Sequence, residues 1–285
     1  MKERGPYHLP AQSRAQKRLY RTRSGRMVLR ALVRPGVSRM AGRVLSSRMS
    51  RRFVPRFAGK HGIDMTEAEK CEFRSFNDFF TRSLKSEARP IDPDPARLIS
   101  PCDSLLAVFP IEKDSCFTIK DSCYTVSSLL QNEQLAAEFE GGVCAIFRLT
   151  VSDYHRYCYF DNGVKGENYF IQGKLHTVNP VSYERYPIYK TNSREYTVME
   201  TENFGKAVQM EVGALMVGRI VNHHGSHRFV RGEEKGLFEF GGSTVVLLFQ
   251  KDRVEFDEEL YRYSAKGYER KVRMGEAVGR RRDRG

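Results

Sequence analysis

No stretch of this 285-residue sequence approaches the run of about eighteen apolar residues that would span a bilayer as a helix. The N-terminus also lacks the short apolar core of a signal peptide. Six cysteines (Cys71, Cys102, Cys116, Cys123, Cys144, Cys158) include no Cys-x-x-Cys pair. That spacing argues against a zinc site or a disulfide framework and favours a reducing compartment. No segment repeats. Acid is almost missing from residues 1–56, where Glu3 stands alone against sixteen Lys and Arg. The arm therefore holds about +15 of charge and leaves the rest of the chain, in a total of +13, near −2. Aromatics are scarce before Phe53, so the arm lacks the basic and aromatic interleaving of a nucleic-acid module, and no nucleic-acid partner is expected.

What is present suits one large core or two modest ones, with 40% apolar residues. Residues 1 to about 25 are polar, basic and read as loose. From Met27, apolar residues recur at helical spacing (Met27, Val28, Ala31, Leu32), and again after Pro35-Gly36 (Val37, Met40, Ala41, Val44, Leu45). Arg30, Arg34, Arg39, Arg43 and Arg48 interleave with them. Two short amphipathic helices fit this pattern, lying on an anionic membrane surface with arginine stems reaching for lipid phosphate. Helices packed on the body with arginines outward, or an organelle transit peptide, fit the same residues.

Beyond the arm, Asp64 with Glu67 and Ser75 with Asp78 resemble capping boxes. Phe76, Phe79, Phe80 and Leu84 form an apolar stripe at helical spacing, and Pro90, Pro93 and Pro95 then end helix formation. Short strands are expected at 105–109, 116–119, 143–149, 168–171, 196–200, 207–212 and 243–249. A helix is expected at 127–139 and a hairpin-type turn at Asn162-Gly163. The fold class is α+β, a β-rich barrel-like or sandwich core with peripheral helices and an N-terminal amphipathic helical arm. His223, His224 and His227 lie in a glycine- and serine-marked stretch with no acid or cysteine adjacent. They read as a solvated turn, and no metal is expected.

The sharpest signal is Phe238-Glu239-Phe240-Gly241-Gly242-Ser243-Thr244-Val245. By itself Gly-Gly-Ser-Thr is a turn or bulge that opens a strand. Lys235 to Thr244, however, resembles the self-cleavage segment of the pyruvoyl-dependent phosphatidylserine decarboxylases of the short bacterial type. Phe76-Asn77-Asp78-Phe79-Phe80-Thr81-Arg82 with Ala88-Arg89-Pro90-Ile91, Ser100-Pro101-Cys102-Asp103 and Asp153-Tyr154-His155-Arg156 resemble further family motifs. So do Val178-Asn179-Pro180, Asn192-Ser193-Arg194-Glu195 and Val212-Gly213-Ala214 through Val217-Gly218, all in the family's order. The likeness runs over roughly residues 60 to 280.

The resemblance implies a basic membrane-associating arm (1–56) and a decarboxylase domain (57–285), self-cleaved into 1–242 and 243–285. Decarboxylating an amino acid needs an electron sink. Here it would be a covalent pyruvoyl group made from Ser243, whose ketone condenses with the substrate amine. Ser243 Oγ attacks the Gly242 carbonyl to give an ester, elimination gives dehydroalanine, and hydrolysis releases ammonia. Gly242 suits the attack because no side chain obstructs it. A serine hydroxyl needs a base, and the base an orienting partner. The resemblance gives His155 the first role and Asp103 the second.

It also implies a homodimer, phosphatidylserine as substrate, phosphatidylethanolamine as product, and a peripheral place on the cytoplasmic face of the cell membrane. Two residues depart from the pattern. Cys158 stands where family members carry a second histidine, and Ser104 where they carry glycine. An inactive family member that binds anionic membranes is the alternative. A serine hydrolase is disfavoured, since Gly241-Gly242-Ser243-Thr244-Val245 is not a Gly-x-Ser-x-Gly elbow.

Overall fold

The computed structural model describes residues 7–8, 40, 42–113, 115–119, 122–173, 192–213, 219–239 and 243–282. Its strands are β1 (Tyr7–His8), β2 (Arg97–Ile99), β3 (Ser104–Pro110), β4 (Phe117–Ile119), β5 (Ser122–Tyr124) and β6 (Val143–Leu149). There follow β7 (Arg156–Cys158), β8 (Gly163–Lys165), β9 (Tyr169–Ile171), β10 (Arg194–Thr201), β11 (Gly205–Val212) and β12 (Ile220–Asn222). The last are β13 (His227–Phe229), β14 (Glu234–Phe238), β15 (Ser243–Phe249), β16 (Val254–Glu255), β17 (Glu269–Val272) and β18 (Ala277–Arg281). The helices are α1 (Val54–His61), α2 (Phe76–Phe80), α3 (Val126–Leu130), α4 (Glu133–Ala137) and α5 (Glu258–Ala265).

An antiparallel sheet of ten strands forms the frame, in the order β1-β17-β3-β6-β15-β11-β10-β8-β13, with β9 also on β10. Among the described residues it stays open between β1 and β13, so of the barrel-like or sandwich core expected it is the sandwich-like form that the sheets take. All seven residues of β15 are buried. Val245, Leu247 and Phe249 face one apolar cluster, whereas Val246 and Leu248 face another. A continuous apolar run is what a strand covered on both faces requires. The small sheet β12-β14-β7 packs into the first cluster through Tyr157, Cys158 and Phe238. Gly236 makes that approach possible, since a Cβ there would come within 2.2 Å of Val221 O.

Ser75 caps α2 by accepting from Asp78 N at 3.1 Å, as its spacing predicts, but Asp78 Oδ2 accepts from Arg74 N at 2.8 Å instead of closing the box. Asp64 likewise accepts from Thr66 N, while Glu67 pairs with Arg89. Phe76, Phe79 and Phe80 are buried against Val54 and Ala58 of α1.

Several other expectations change. The helix expected over 127–139 is two helices, because Gln131 takes a left-handed conformation (φ 50°) and Asn132 caps a new start. Asn162-Gly163 closes no hairpin, since β7 belongs to the small sheet and β8 pairs with β10 and β13 in the large one. Within the arm expected to be loose, Tyr7 and His8 pair with Arg270 and Glu269, and Tyr7 stacks on Tyr263 at 4.1 Å. Cys116 and Cys123 are joined across the β4–β5 hairpin, a pairing that the absence of Cys-x-x-Cys did not reveal. The first arm helix, around 27–32, lies outside the described residues.

Candidate active site

Three adjacent strands bring the expected residues to one end of the large sheet. Ser243 opens β15 opposite Leu149, the last residue of β6. Asp153 and His155 follow in the chain segment that leaves β6 there. Asp103 immediately precedes β3, which pairs with β6 at Leu105 and Arg148. All three side chains are buried, Asp103 at 5% exposure and His155 and Ser243 at 1% each. Backbone bonds tie the loops: Cys158 N donates to Pro101 O at 2.9 Å, and Phe238 N donates to His155 O at 2.8 Å. Phe240, Gly241 and Gly242, and with them the expected scissile bond, lie outside the described residues. So do Val178-Asn179-Pro180 and Ala214 to Gly218.

His155 Nδ1 sits 2.8 Å from the Asp153 carbonyl oxygen. A carbonyl only accepts, so Nδ1 carries the proton and Nε2 carries the lone pair of the neutral ring. Asp153 is itself fixed, with Thr150 N donating to Oδ2 at 2.6 Å and Lys271 of β17 donating to Oδ1. One contact that orients the imidazole thus comes from the Asp153 backbone. Asp103 is held differently: Arg89 Nε and Nη2 reach its two oxygens at 2.6–3.0 Å, and Met274 N donates to Oδ1 at 2.9 Å. Burial works against the Arg89 charge, but the Asp103 and Glu67 contacts outweigh it and raise its pKa.

The two departures from the family pattern have clear surroundings. Cys158 is buried, and burial pushes its thiol up to about 12, so it stays neutral at ordinary pH. Ser104 begins β3 opposite Val272, an extended position that accepts a Cβ, and its hydroxyl reaches Cys102 O at 3.4 Å.

A match to the phosphatidylserine decarboxylase family spans residues 76–280. The chain belongs to that family. It is 46% identical over 266 residues, 93% of this chain and 91% of the other, to a Clostridium acetobutylicum protein named phosphatidylserine decarboxylase proenzyme 2. A Chlamydia muridarum phosphatidylserine decarboxylase proenzyme is 44% identical over 91% of this chain and 88% of its own. A Ruminiclostridium cellulolyticum protein of the same name is 41% identical over 92% and 89%.

Around the family's motifs the structure gathers groups to which the sequence gives no role. Phe80, read only as packing, lies against His155 with ring centroids 3.8 Å apart. Arg156 donates to Thr81 O at 2.8 and 3.0 Å, which clamps the end of α2 to the His155 segment. Lys235 Nζ lies 2.7 Å from Glu211 Oε2 and 2.8 Å from Asn222 Oδ1, with the Lys235 and Glu211 side chains fully buried. Glu211 pairs with Val245, two residues from Ser243 along β15. Charged residues inside strands read as solvent-facing, which is why this pair is invisible to spacing alone.

The three histidines are not the solvated turn expected of them. His223 Nε2 lies 2.7 Å from Glu234, His227 Nε2 lies 2.8 Å from Glu233, and His224 Nε2 is 3.8 Å from the same Glu233 oxygen. Glu233 is the acid that sequence proximity missed. The His224 and His227 rings stack 4.0 Å apart at 12°, and ligand atoms of His224, His227 and Glu233 all lie within 4.8 Å of one another, a grouping that could hold a metal ion.

Proposed function

We propose that this chain is a proenzyme that cuts itself between Gly242 and Ser243 and then converts phosphatidylserine to phosphatidylethanolamine. The observation that carries the reading is the burial of Ser243 and His155 at one end of β3, β6 and β15, in a chain of this family. His155 Nε2, the lone-pair nitrogen, takes the Ser243 proton. The hydroxyl oxygen attacks the Gly242 carbonyl, the Gly242–Ser243 amide becomes an ester, and the serine nitrogen leaves the carbonyl as an amine. Loss of the Ser243 α-proton and of the Gly242 carboxylate yields dehydroalanine, which water hydrolyses with release of ammonia. Asp103, held by Arg89 in the neighbouring loop, is the residue to which the family likeness gives the role of orienting the base.

The surroundings suit the pyruvoyl that would result. It would stand at the head of a fully buried strand, away from bulk water. When formed it would supply the electron sink for loss of carbon dioxide. His155, Phe80 and the Ser100–Asp103 loop then exclude water from it.

The arm supports a peripheral place on an anionic, cytoplasmic membrane face. Met40, Val44, Met49 and Phe53 are exposed among the exposed Arg43, Arg48, Arg51 and Arg52. Such a face inserts apolar side chains while its cations meet lipid phosphate. Among the described residues no helix is long and apolar enough to cross a membrane. The working form is taken to be a dimer of cleaved protomers.

Intact mass of the purified chain tests this reading. Two polypeptides of about 28 and 5 kDa, in proportion to residues 1–242 and 243–285, are expected. The smaller should resist stepwise N-terminal degradation, since a pyruvoyl has no amine. Ser243→Ala should remain a single chain. A wild-type chain that stays intact under every condition overturns the reading.

A further inference from the structure

Arg82 follows α2 and is buried at 7% exposure, yet no carboxylate pairs with it among the described residues. Its Nε has no hydrogen-bond partner. Its one hydrogen bond runs from Nη1 to Phe79 O at 3.4 Å, and the guanidinium otherwise lies over the Phe79 ring at 5.1 Å. The arginines nearby are fully engaged: Arg89 holds Asp103, Glu67 and Ala88 O, while Arg156 holds Glu234 and Thr81 O. Asp103 acts on Arg82 through space, but both of its oxygens are committed to Arg89.

A buried guanidinium with most of its donors unused calls for an anion that the described residues do not themselves provide. Its flat fork of N–H groups matches an oxyanion with two oxygens in one plane. The placement indicates which anion. The preceding residue, Thr81, is clamped by Arg156, and Phe80 lies on the His155 ring, so Arg82 belongs to the wall of the site.

We propose that Arg82 holds the phosphodiester of the phospholipid head group, an assignment that rests on the decarboxylation reading above. Two anionic groups of phosphatidylserine compete for the role, and chemistry separates them. The carboxylate sheds its charge as carbon dioxide leaves, so a cation fixed on it would stabilise the ground state more than the transition state. The phosphodiester keeps its charge throughout. A cation there strengthens substrate and transition state alike and lowers KM.

The test has a binding arm that needs no turnover. In the full-length Ser243→Ala chain, glycerophosphoserine should bind by calorimetry, and inorganic phosphate should compete. Adding Arg82→Gln should weaken that Kd at least tenfold. L-serine, which has the carboxylate but no phosphate, should show no Arg82-dependent binding. In the cleaved enzyme, Arg82→Gln should raise KM for phosphatidylserine in mixed micelles by tenfold or more, with a smaller fall in kcat.

Arg82→Lys keeps the charge without the fork, and its KM should fall between the two. If the Gln variant does not fold, the Lys variant decides, and an unchanged KM overturns the proposal. Equal Kd values with and without Arg82→Gln overturn it, as does loss of L-serine binding in place of phosphate binding. An enzyme that releases no carbon dioxide would sink the decarboxylation reading, while the calorimetry would still report on Arg82.

Discussion

Phe80 lies against the His155 imidazole, ring centroids 3.8 Å apart and planes tilted by 35°. The contact joins the helical N-terminal motif to the 153–156 segment, and on the proposed reading it would keep water from one side of the base. Phe80→Leu should fold and self-cleave several times more slowly than wild type on a denaturing gel. Phe80→Ala removes a fully buried ring and should cost about 3–5 kcal/mol of stability in urea unfolding. Equal cleavage rates for Phe80→Leu and wild type would show that the ring only fills space.

His155, and not Cys158, should supply the base for self-cleavage. A thiol with a pKa pushed up to about 12 offers almost no thiolate at pH 7, whereas an imidazole is by nature a base suited to that pH. His155→Ala should accumulate as precursor, while Cys158→Ala should process at close to the wild-type rate. Circular dichroism should confirm that both fold. A blocked Cys158→Ala beside a cleaved His155→Ala would reverse the assignment.

The Lys235–Glu211 pair sets a stability prediction. Removing only the cation in Lys235→Met strands a buried carboxylate and should cost about 3–5 kcal/mol in denaturant unfolding. Replacing both, with Lys235→Met and Glu211→Leu, should recover most of that loss. If the double variant is no better than the single one, the pair is not coupled as its 2.7 Å contact implies.

Alkaline pH should destabilise the fold, with a sign that burial fixes. Cys158, Tyr154 and Tyr261 are all pushed up to about 12 by burial, from ordinary values of 9.0 and 10.0. As pH rises past 9 the unfolded chain sheds these protons first, so the folded state binds more protons and its stability falls toward pH 12. Below pH 9 this contribution is fully present. Urea midpoints at pH 7, 8.5 and 10 should coincide at the first two and drop at the third. In the folded protein at pH 8, a thiol reagent should label exposed Cys71 quickly and leave Cys102, Cys144 and Cys158 untouched.

Membrane binding should depend on Met49 and Phe53, at 72% and 62% exposure. Changing both to Ser should weaken binding to anionic liposomes roughly tenfold or more, since each buried side chain of this size is worth about 1.5–3 kcal/mol. Wild-type affinity should also fall as salt rises. Point changes are preferable to deleting residues 1–56, because deletion also removes β1 from the edge of the sheet. Equal sedimentation of variant and wild type would place the membrane face elsewhere.

Sequence reading reached the parts of the fold whose pattern is long enough to register. Val143–Leu149 is apolar but for Arg148, and Ser243–Phe249 is apolar from Val245 onward, so both strands can be read directly. Arg156–Cys158 and Ile220–Asn222 are three residues each, too short for any period, so the small sheet could not be seen. Asn132 is a visible cap within the expected helix, but Gln131 in a left-handed conformation is not a break that spacing foretells. In the candidate site, motif order singled out Asp103, His155 and Ser243, which the fold places at one end of β3, β6 and β15. The partners that hold them were not legible, because Arg89 to Asp103 and Lys271 to Asp153 are contacts made only by the folded chain.

The position of β15 would carry a consequence for a chain cut as proposed. Severed before Ser243, the C-terminal piece would still lie between β6 and β11, with a full ladder on each side. Its β17 and β18 would remain stitched to β3 and β2. The two pieces therefore cannot part without dismantling the main sheet. Folding has to come first as an event within one molecule. Once the bond is gone, recovery from denaturant becomes an encounter between two molecules whose rate depends on concentration. A chain cut as proposed would fold once, and the cut would make the return journey far slower than the first.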